Sequence, residues 1–195
     1  MSEIILLLVF LGFIFWGCYR TYTDYKWNLK PLNNFPFFYR GKEYWYSRSV
    51  ATTPFVFCKN ENNEYCVLAN KRGIGTPDFQ GLWNVPCGYL EFNVNGEENC
   101  KKEVFEETGV DIPLSKFKFL GVNASPSQNK QNVSLRYYAI LDDNTTYYPI
   151  TDINSEENEV EDIKWIPLIE IQNYEWAFSH DLIIKEIQDN ILKEL

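Results

Sequence analysis

The chain has few of the residues that hold zinc. Its 195 residues include one histidine, and its five cysteines form no C-x-x-C pair. A structural zinc site usually has four cysteine or histidine ligands, often at such close spacings, so the sequence argues against one. The cysteine count is odd, and we predict free, mostly buried thiols in a reducing compartment.

Positive charge is also scarce, and there is no long basic run. Lysine and arginine number 18 against 27 aspartates and glutamates, which gives a net charge of −9. This balance argues against an extended nucleic-acid partner, because such binding depends on neutralising many phosphates. It leaves room for a single nucleotide, whose phosphates could be met by a metal ion and one or two arginines. The length and the 45% hydrophobic content predict one compact domain plus an appendage.

An uncharged apolar run occupies residues 4–19 (IILLLVFLGFIFWGCY). It is somewhat shorter than the roughly 20 residues that a membrane-spanning helix needs, and the residues after it could extend it into the interface. A cleaved signal peptide is the alternative, but the run lacks a preceding basic stretch and a small-x-small cleavage site. Arg20, Lys26 and Lys30 follow the run, so the positive-inside rule orients the remainder toward the cytoplasm.

We therefore predict three regions: residues 1–21 as a single-pass membrane anchor, 22–42 as a linker, and 43–195 as a domain that faces the cytoplasm. Secretion after signal-peptide cleavage is the alternative localisation. Pro31 and Pro36 exclude a long helix from the linker. Within the domain, residues 55–59 and 64–70 flank a polar turn and predict a β-hairpin.

Three glutamates, Glu103, Glu106 and Glu107, stand out in the middle of the chain. Their i, i+3, i+4 spacing places all three carboxylates on one face of a helix. Asn95 is a suitable N-cap for that helix, and Gly109 stands where a left-handed residue commonly ends one. One interpretation is a solvated acidic face. The other is a divalent cation site, since Mg²⁺ prefers carboxylate oxygens together with waters and phosphates.

The frame around these glutamates, residues 88–110 (GYLEFNVNGEENCKKEVFEETGV), favours the cation site. It resembles the Nudix box, which is a glycine, five residues, Glu, seven residues and R-E-U-x-E-E-x-G-U, with U a bulky apolar residue. Two positions depart from the box: Val94 replaces its first Glu, and Lys102 replaces its Arg. Those two residues commonly pair in the family. Their joint loss orphans no buried acid, but it predicts a site that is held less rigidly.

The segment before the box extends the resemblance. Residues 71–91 are similar to the KRG…GLWxxPxGxLE run that lines one wall of the substrate site in many Nudix hydrolases. This similarity implies substrate contacts by Arg72, Phe79 and Trp83. Arg72 is the candidate phosphate contact, because guanidinium binds phosphate bidentately, and a surface arginine is the alternative. Trp83 is either a core residue, which we favour, or a base-stacking platform. The glycines that follow Arg72 form, on a weaker interpretation, a phosphate-cradling loop.

After the box, alternating residues predict a strand over residues 132–141. Arg136 on that strand needs an anionic partner, either a substrate phosphate or an internal acid, and we favour the acid. The acidic run at residues 156–161 resembles the segment from which family members often draw an extra catalytic glutamate. Glu157 and Glu159 are the candidates, and a solvated loop is the alternative for each.

The last residues, 178–195, have the periodicity of an amphipathic helix with isoleucines on its inner face. Ser179 is a suitable N-cap for it. His180 falls in its first turn, where a structural role is the expected one.

From Tyr44 onward the resemblance implies an α/β fold, a Nudix-type α/β/α sandwich around a mixed β-sheet, preceded here by the N-terminal hydrophobic helix. It implies metal binding by Glu103, Glu106, Glu107 and the backbone carbonyl of Cys87. The ion would be Mg²⁺, with Mn²⁺ as a substitute. The substrate would be a nucleoside diphosphate linked to another group, such as a nucleotide sugar, ADP-ribose, a dinucleotide or a nucleoside triphosphate.

The implied reaction is hydrolysis of the pyrophosphate bond, in which a carboxylate takes a proton from the attacking water. The catalytic candidates are Glu103, Glu106, Glu157 and Glu159. The departures at Val94 and Lys102 support one alternative, a catalytically retired nucleotide sensor at a membrane. A structural membrane protein is a third hypothesis. Many members of the family are dimers, so a homodimer is compatible with the resemblance.

Overall fold

The computed structural model describes residues 35–46, 48–125, 132–142, 147, 149 and 158–194. The chain divides into two compact units, Met1–Arg48 and Ser49–Leu195. The predicted anchor, most of the predicted linker and Glu157 lie outside the described residues. Within those residues, no helix has the length and apolar character that crossing a membrane requires.

The described part of the first unit is a β-hairpin. Strand β1 (Phe35–Tyr39) pairs antiparallel with strand β2 (Lys42–Tyr46). The connecting residues Arg40 and Gly41 have positive φ values of 50° and 75°, as expected for a two-residue turn that matches the twist of the strands. The end of the predicted linker therefore contains a strand, and the predicted boundary at residue 43 falls inside the hairpin.

The second unit is built on a seven-stranded mixed sheet. Across the sheet the order is β5–β4–β3–β8–β7, with β6 also paired to β3 and β9 paired to β4. The pairing of β3 with β8 is parallel, and the others are antiparallel. The strands are β3 (Val50–Lys59), β4 (Tyr65–Arg72), β5 (Trp83–Asn84), β6 (Gly88–Tyr89), β7 (Lys118–Asn123), β8 (Val133–Ile140) and β9 (Val160–Pro167).

The predicted hairpin is confirmed as β3 and β4, whose register places Phe57 opposite Val67. Their connecting turn is held by the side chain of Asn60, which accepts hydrogen bonds from the backbone N–H groups of Asn62 and Glu64 at 3.0 and 2.9 Å. Asparagine favours such turns because its side chain can replace a backbone acceptor.

One helix covers each face of the sheet, which confirms the sandwich. Helix α1 (Gly96–Thr108) packs on one face, and helix α2 (His180–Asn190) packs on the other. Alternation along β3 sends Val56 and Cys58 toward α1, and Phe55 and Phe57 toward α2. Short 3-10 turns complete the unit, at Leu114–Lys116, Leu168–Asn173, Ala177–Ser179 and Leu192–Glu194.

The C-terminal helix is shorter than predicted. It begins at His180 because Phe178 and Ser179 have left-handed φ values of 58° and 57°, which no α-helix contains. Ser179 occupies the N-cap position, but its side chain makes no capping hydrogen bond. The predicted inner face is confirmed, since Ile183, Ile184 and Ile187 are buried.

Candidate functional site

Helix α1, which carries the three glutamates, is capped at both ends. Asn95 Oδ1 accepts from the Glu98 N–H at 2.9 Å, and Glu98 Oε2 accepts in return from the Asn95 N–H at 2.9 Å. Such a capping box stabilises a helix by about 1 kcal/mol. Gly109 ends the helix with φ 74°, and its N–H donates to Phe105 O. Both predicted caps are confirmed.

Glu103 is buried against the start of β6. Asn99 Nδ2 donates to its carboxylate at 3.4 Å. A Cβ at residue 88 would lie 2.2 Å from Glu103 Oε2, so only glycine admits the carboxylate there. Burial raises the pKa of Glu103 to about 7, Lys102 lowers it, and three further carboxylates raise it, those of Glu106, Glu91 and Glu159.

Glu107 is held by two donors from the sheet side of the helix. Asn70 Nδ2 donates to its Oε2 at 2.8 Å, and the Cys87 N–H donates to the same oxygen at 3.3 Å. Burial and the charge of Glu103 raise the pKa of Glu107 well above its usual range, although both hydrogen bonds and the charge of Arg72 oppose the shift. The other amide atom of Asn70, Oδ1, is buried without a hydrogen-bond partner.

Glu106 is the more exposed of the three, and Lys102 binds it. Lys102 Nζ lies 2.8 Å from Glu106 Oε2 and 2.9 Å from Glu91 Oε1. Both hydrogen bonds contribute to raising the pKa of Lys102, against its desolvation. The lysine therefore joins the middle of α1 to the loop that precedes it.

The three carboxylates share one helix face, but each is directed to a different partner. Accordingly, no three acidic, histidine or cysteine side chains in the described part of the chain converge closely enough to hold a metal ion as they stand. The donor set still fits a hard cation, because it supplies only oxygen and includes two carboxylates with raised pKa values. Mg²⁺ usually keeps waters and phosphates among its ligands, so one or two carboxylates suffice.

Arg72 lies beside these glutamates, but its guanidinium already has partners. Nη2 and Nε donate to Asp78 Oδ1 and Asp78 O at 2.8 and 2.9 Å, and the group lies 5.0 Å from the ring centre of Phe178. Its charge lowers the pKa values of Glu107 and Cys87. The alternative of a surface arginine is wrong, because the side chain is 11% exposed.

The two aromatic candidates differ in exposure. Phe79 is 44% exposed, and its ring centre lies 4.8 Å from that of Phe178. Trp83 is 7% exposed, with the edge of Tyr174 and the ammonium of Lys164 against its ring. The core interpretation of Trp83 is therefore confirmed, and base stacking on it has no room.

Arg136 is not brought to the box glutamates. It points to the α2 face of the sheet, where its charge lowers the pKa of His180 and the charge of Glu186 acts on it. No described residue forms a hydrogen bond or ion pair with its partly buried guanidinium within 4.0 Å. The internal acid nearest in effect is Glu186, whose charge raises the pKa of Arg136 although the two side chains form no ion pair.

His180 has the structural role that was predicted. It is 4% exposed, and its Nδ1 accepts a hydrogen bond from the Val85 N–H at 3.2 Å. Burial is the largest cause that lowers its pKa to about 3, and the charges of Arg136 and Arg72 contribute to the same shift. The neutral ring thereby ties the start of α2 to the strand segment before the box.

Comparison with known proteins agrees with this geometry. The family model of the NUDIX domain matches residues 50–187. The chain belongs to the Nudix family. It is 27% identical over 129 residues to Nudix hydrolase 2 of Arabidopsis thaliana, a match that covers 66% of this chain and 43% of that protein. The chain therefore spans less than half the length of this curated relative.

Solved Nudix structures share the fold. The NUDIX domain of Shewanella oneidensis NrtR, complexed with ADP ribose, superposes with a TM-score of 0.61 at 22% identity, over 74% of this chain and 89% of that one. A MutT/nudix family protein from Enterococcus faecalis gives 0.63 at 19% identity, over 77% and 64%. A bifunctional NMN adenylyltransferase/ADP ribose pyrophosphatase from Francisella tularensis, complexed with AMP and Mn, gives 0.57 at 20% identity, over 73% and 41%.

Within the Nudix box, residue 102 keeps acidic partners, and a less rigidly held site stays a prediction. Val94 removes the family's usual acidic partner of residue 102, but Glu91 supplies a carboxylate three positions earlier in the chain. Lys102 thus keeps an acid across the loop and gains Glu106 as a second one. The ion pair of the box is therefore kept by Lys102 with Glu91 in place of the usual acid at position 94.

Sequence reasoning missed the residues that orient the box glutamates. Asn99 is buried, donates to Thr52 Oγ1 at 2.8 Å and accepts from the Glu91 N–H at 3.1 Å. Its position four residues before Glu103, on the same helix face, was the available signal. For Asn70, the signal was an asparagine inside an otherwise apolar strand, where a buried amide needs a partner.

Proposed function

We propose that this chain is a divalent-metal-dependent pyrophosphohydrolase, which cleaves the pyrophosphate bond of a nucleoside diphosphate linked to a second group. One observation carries the proposal: Glu103 is buried on the face of α1 that also carries Glu107, and its charge makes Glu107 harder to ionise. A solvated acidic face would leave its carboxylates in water. Burying carboxylates costs free energy unless a bound cation compensates their charge.

In this proposal Glu103, Glu106, Glu107 and the Cys87 carbonyl hold Mg²⁺, for which Mn²⁺ can substitute. The bound ion would neutralise phosphate oxygens and make a water more acidic. Asn70 and Asn99 orient Glu107 and Glu103 for this task through the hydrogen bonds described above. Lys102 restrains Glu106, which is the least buried of the three.

Glu159 is our choice as the group that accepts the proton from the attacking water. Its charge acts on Glu103, so its carboxylate lies within electrostatic reach of the box glutamates. Glu106 is the less suitable candidate because Lys102 Nζ already holds its Oε2 at 2.8 Å.

The substrate side of the site would be formed by Arg72 and Phe79, since Arg136 lies on the α2 face of the sheet and not beside the box glutamates. Phe79 presents a ring that is 44% exposed, on which a base could stack. ADP-ribose is our first candidate substrate, because one structural neighbour is complexed with ADP ribose and another is an ADP ribose pyrophosphatase.

Turnover by the full chain tests the proposal. Phosphate-coupled assays would compare ADP-ribose, NADH, nucleotide sugars, dinucleoside polyphosphates and nucleoside triphosphates, each with Mg²⁺ or Mn²⁺. We expect hydrolysis of at least one, and a loss of about a hundredfold or more in Glu106→Gln. Glu98→Gln is the matched control, since glutamine keeps the capping box while removing one charge from the same helix.

Two outcomes would overturn the proposal. Nucleotide binding in Mg²⁺ without turnover of any substrate would favour the retired sensor. Equal losses in Glu106→Gln and Glu98→Gln would mean that the helix acts through its total charge and not through a specific site.

We also propose that residues 4–19 anchor the chain in a membrane, with the Nudix domain on the cytoplasmic side. The support is the uncharged run and the three basic residues that follow it. Full-length protein should remain in the membrane pellet after alkaline extraction, and protease added from the cytoplasmic side should digest the domain. A protected domain would reverse the orientation.

A further inference from the structure

The glycine-rich loop at residues 73–76, which follows β4, uses its backbone donors on the protein itself. The Gly73 N–H donates to Glu159 O at 2.7 Å, and the Gly75 N–H donates to Asn158 O at 2.8 Å. The interpretation of this loop as a phosphate cradle is therefore wrong, because these two donors are already occupied. What they hold is the backbone just before β9.

The fit between this loop and residues 158–159 requires glycine. A Cβ on Gly73 would lie 2.1 Å from Asn158 O and 3.1 Å from the carbonyl carbon of Glu159. Both contacts are with backbone atoms, which cannot rotate away as a side chain can. Any larger residue at position 73 must displace the segment that carries Glu159.

The loop itself is braced. Thr76, which is 8% exposed, donates its hydroxyl to Gly73 O at 2.8 Å. Gln80 Nε2 donates to Ile74 O and Thr76 O at 2.9 and 2.8 Å. A loop with this many internal bonds acts as a fixed support for the segment it binds.

The segment it binds lies beyond a break in the sheet. Along the β4–β9 pairing Lys71 opposes Asp162 and Arg72 opposes Val160, so Glu161 is an extra residue in β9. Bulges of this kind redirect the chain and are common beside active sites. Beyond the bulge, the bonds from the loop hold Asn158 and Glu159, just before β9. From that segment, the charge of Glu159 contributes to raising the pKa of Glu103.

We propose that residues 73–76 form a clasp that positions Glu159 toward the box glutamates, and that Gly73 is a positioning residue for the reaction. This inference rests on the proposed function, in which Glu159 accepts the proton from the attacking water.

The central experiment measures kcat and KM of the full chain carrying Gly73→Ala. We expect kcat to fall by about tenfold to a hundredfold, since a misplacement of about 1 Å has such effects, while KM changes little. Gly121→Ala is the matched control, because a Cβ there would meet nothing within 4 Å. Its kcat should stay within about twofold of wild type.

A double variant separates positioning from general damage. In a Glu159→Gln background, adding Gly73→Ala should lower kcat by less than about twofold, because both changes then remove the same interaction. If Gly73→Ala alone fails to fold, Thr76→Val takes its place, since it removes the hydroxyl bonds to Gly73 O and Asp78 O and adds no atom against residues 158–159. Thr76→Val should lower kcat less than Gly73→Ala does, and it should have no further effect in the Glu159→Gln background.

The clasp can also be measured without substrate. The Gly73 and Gly75 amides should be protected from hydrogen exchange in wild type, and the Gly75 amide should lose protection in Gly73→Ala. Unprotected amides in wild type would overturn the clasp whether or not the chain is a hydrolase. A full loss of kcat from Gly73→Ala that persists in the Glu159→Gln background would overturn the positioning role alone. Absence of turnover in wild type would instead reject the proposed function.

Discussion

The two faces of the central sheet differ in the residues that they bury. On the α2 face the buried layer is almost wholly apolar, with Phe55, Phe57 and Ile184 at its centre. On the α1 face an apolar core shares the space with buried polar groups, namely Asn70, Asn84, Asn99, Glu103 and Thr108. Two of these asparagines, Asn70 and Asn84, leave an amide oxygen without a partner. Each such oxygen costs about 1–3 kcal/mol.

The difference shows where the fold gains stability and where it gives some of it up. Apolar burial on the α2 face is favourable in proportion to the area removed from water. Burial of carboxylates on the α1 face is unfavourable, and it is sustained by hydrogen bonds from Asn70, Asn99 and the Cys87 N–H. Active sites commonly hold such unfavourable groups in place by means of the rest of the fold.

The largest effect should come from neutralising a carboxylate on the α1 face. Glu107→Gln keeps an oxygen for the Asn70 amide but removes the charge. We expect kcat to fall about a thousandfold, while the metal-free protein becomes no less stable, because a buried charge is gone. Kinetics and urea unfolding in EDTA check both halves. A loss of stability above about 1 kcal/mol would contradict the contrast between the faces.

Truncating a side chain on the α2 face should lower the stability of the fold and leave kcat nearly unchanged. Ile184→Ala leaves a cavity in the apolar core and should lower the free energy of unfolding by about 3 kcal/mol. The folded fraction should retain kcat within about twofold of wild type, because Ile184 contacts none of the box glutamates. Urea unfolding and kinetics on the folded protein measure this. A large fall in kcat would mean that the two faces are coupled.

The two faces should also respond oppositely to pH. On the α2 face, the pKa of His180 is lowered to about 3 from 6.5. The folded state then binds fewer protons than the unfolded state, so stability is lost as the pH falls from about 6.5 toward 3, on the order of 4 kcal/mol. His180→Asn, which keeps an acceptor for the Val85 N–H but cannot ionise, should flatten this acid loss in urea-unfolding curves.

On the α1 face, the pKa of Glu103 is raised to about 7 from 4.5. The folded metal-free protein then binds more protons than the unfolded chain, so stability falls as the pH rises from about 4.5 to 7, on the order of 2 kcal/mol. Glu103→Gln should remove this decline in EDTA. If neither variant changes the pH dependence of unfolding, the contrast in burial between the faces is not reflected in solution.

The smallest effect should come from a residue that only orients a carboxylate. Asn70→Ala removes the donor to Glu107 Oε2 and should raise the Mg²⁺ concentration for half-maximal activity about tenfold, as outer partners of metal ligands do. Titration of activity with Mg²⁺ measures it. Asn62→Ala, in the exposed β3–β4 turn, is the control and should leave the titration unchanged.

Local features of the site could be predicted because they depend on residues close in sequence. The i, i+3, i+4 glutamates, the Asn95 cap and the Gly109 end of α1 need only helix geometry. The β3–β4 hairpin likewise follows from alternation around a polar turn. The inner face of α2 was found for the same reason, although its start was not, because the left-handed residues Phe178 and Ser179 have no sequence signal.

The partners of charged residues could not be predicted, because they come from distant parts of the chain. Arg72 finds Asp78 within its own loop, but Lys102 turns to Glu91 and Arg136 lies on the α2 face. A charge pattern says that a partner is needed and does not say which one. The hairpin β1–β2 was not predicted, because two prolines favour a linker, whereas Pro36 lies within β1.

By itself the sequence determined the family, the helix that carries the glutamates and the alternation of the strands, since each depends on spacing along the chain. Only the tertiary structure decided which carboxylates are buried, which asparagines hold them and where Glu159 lies. Burial and hydrogen-bond partners arise when segments far apart in sequence pack together, as Asn70 meets Glu107 and Gly73 meets Glu159. Desolvation by that packing is the largest cause of the raised pKa values of Glu103 and Glu107.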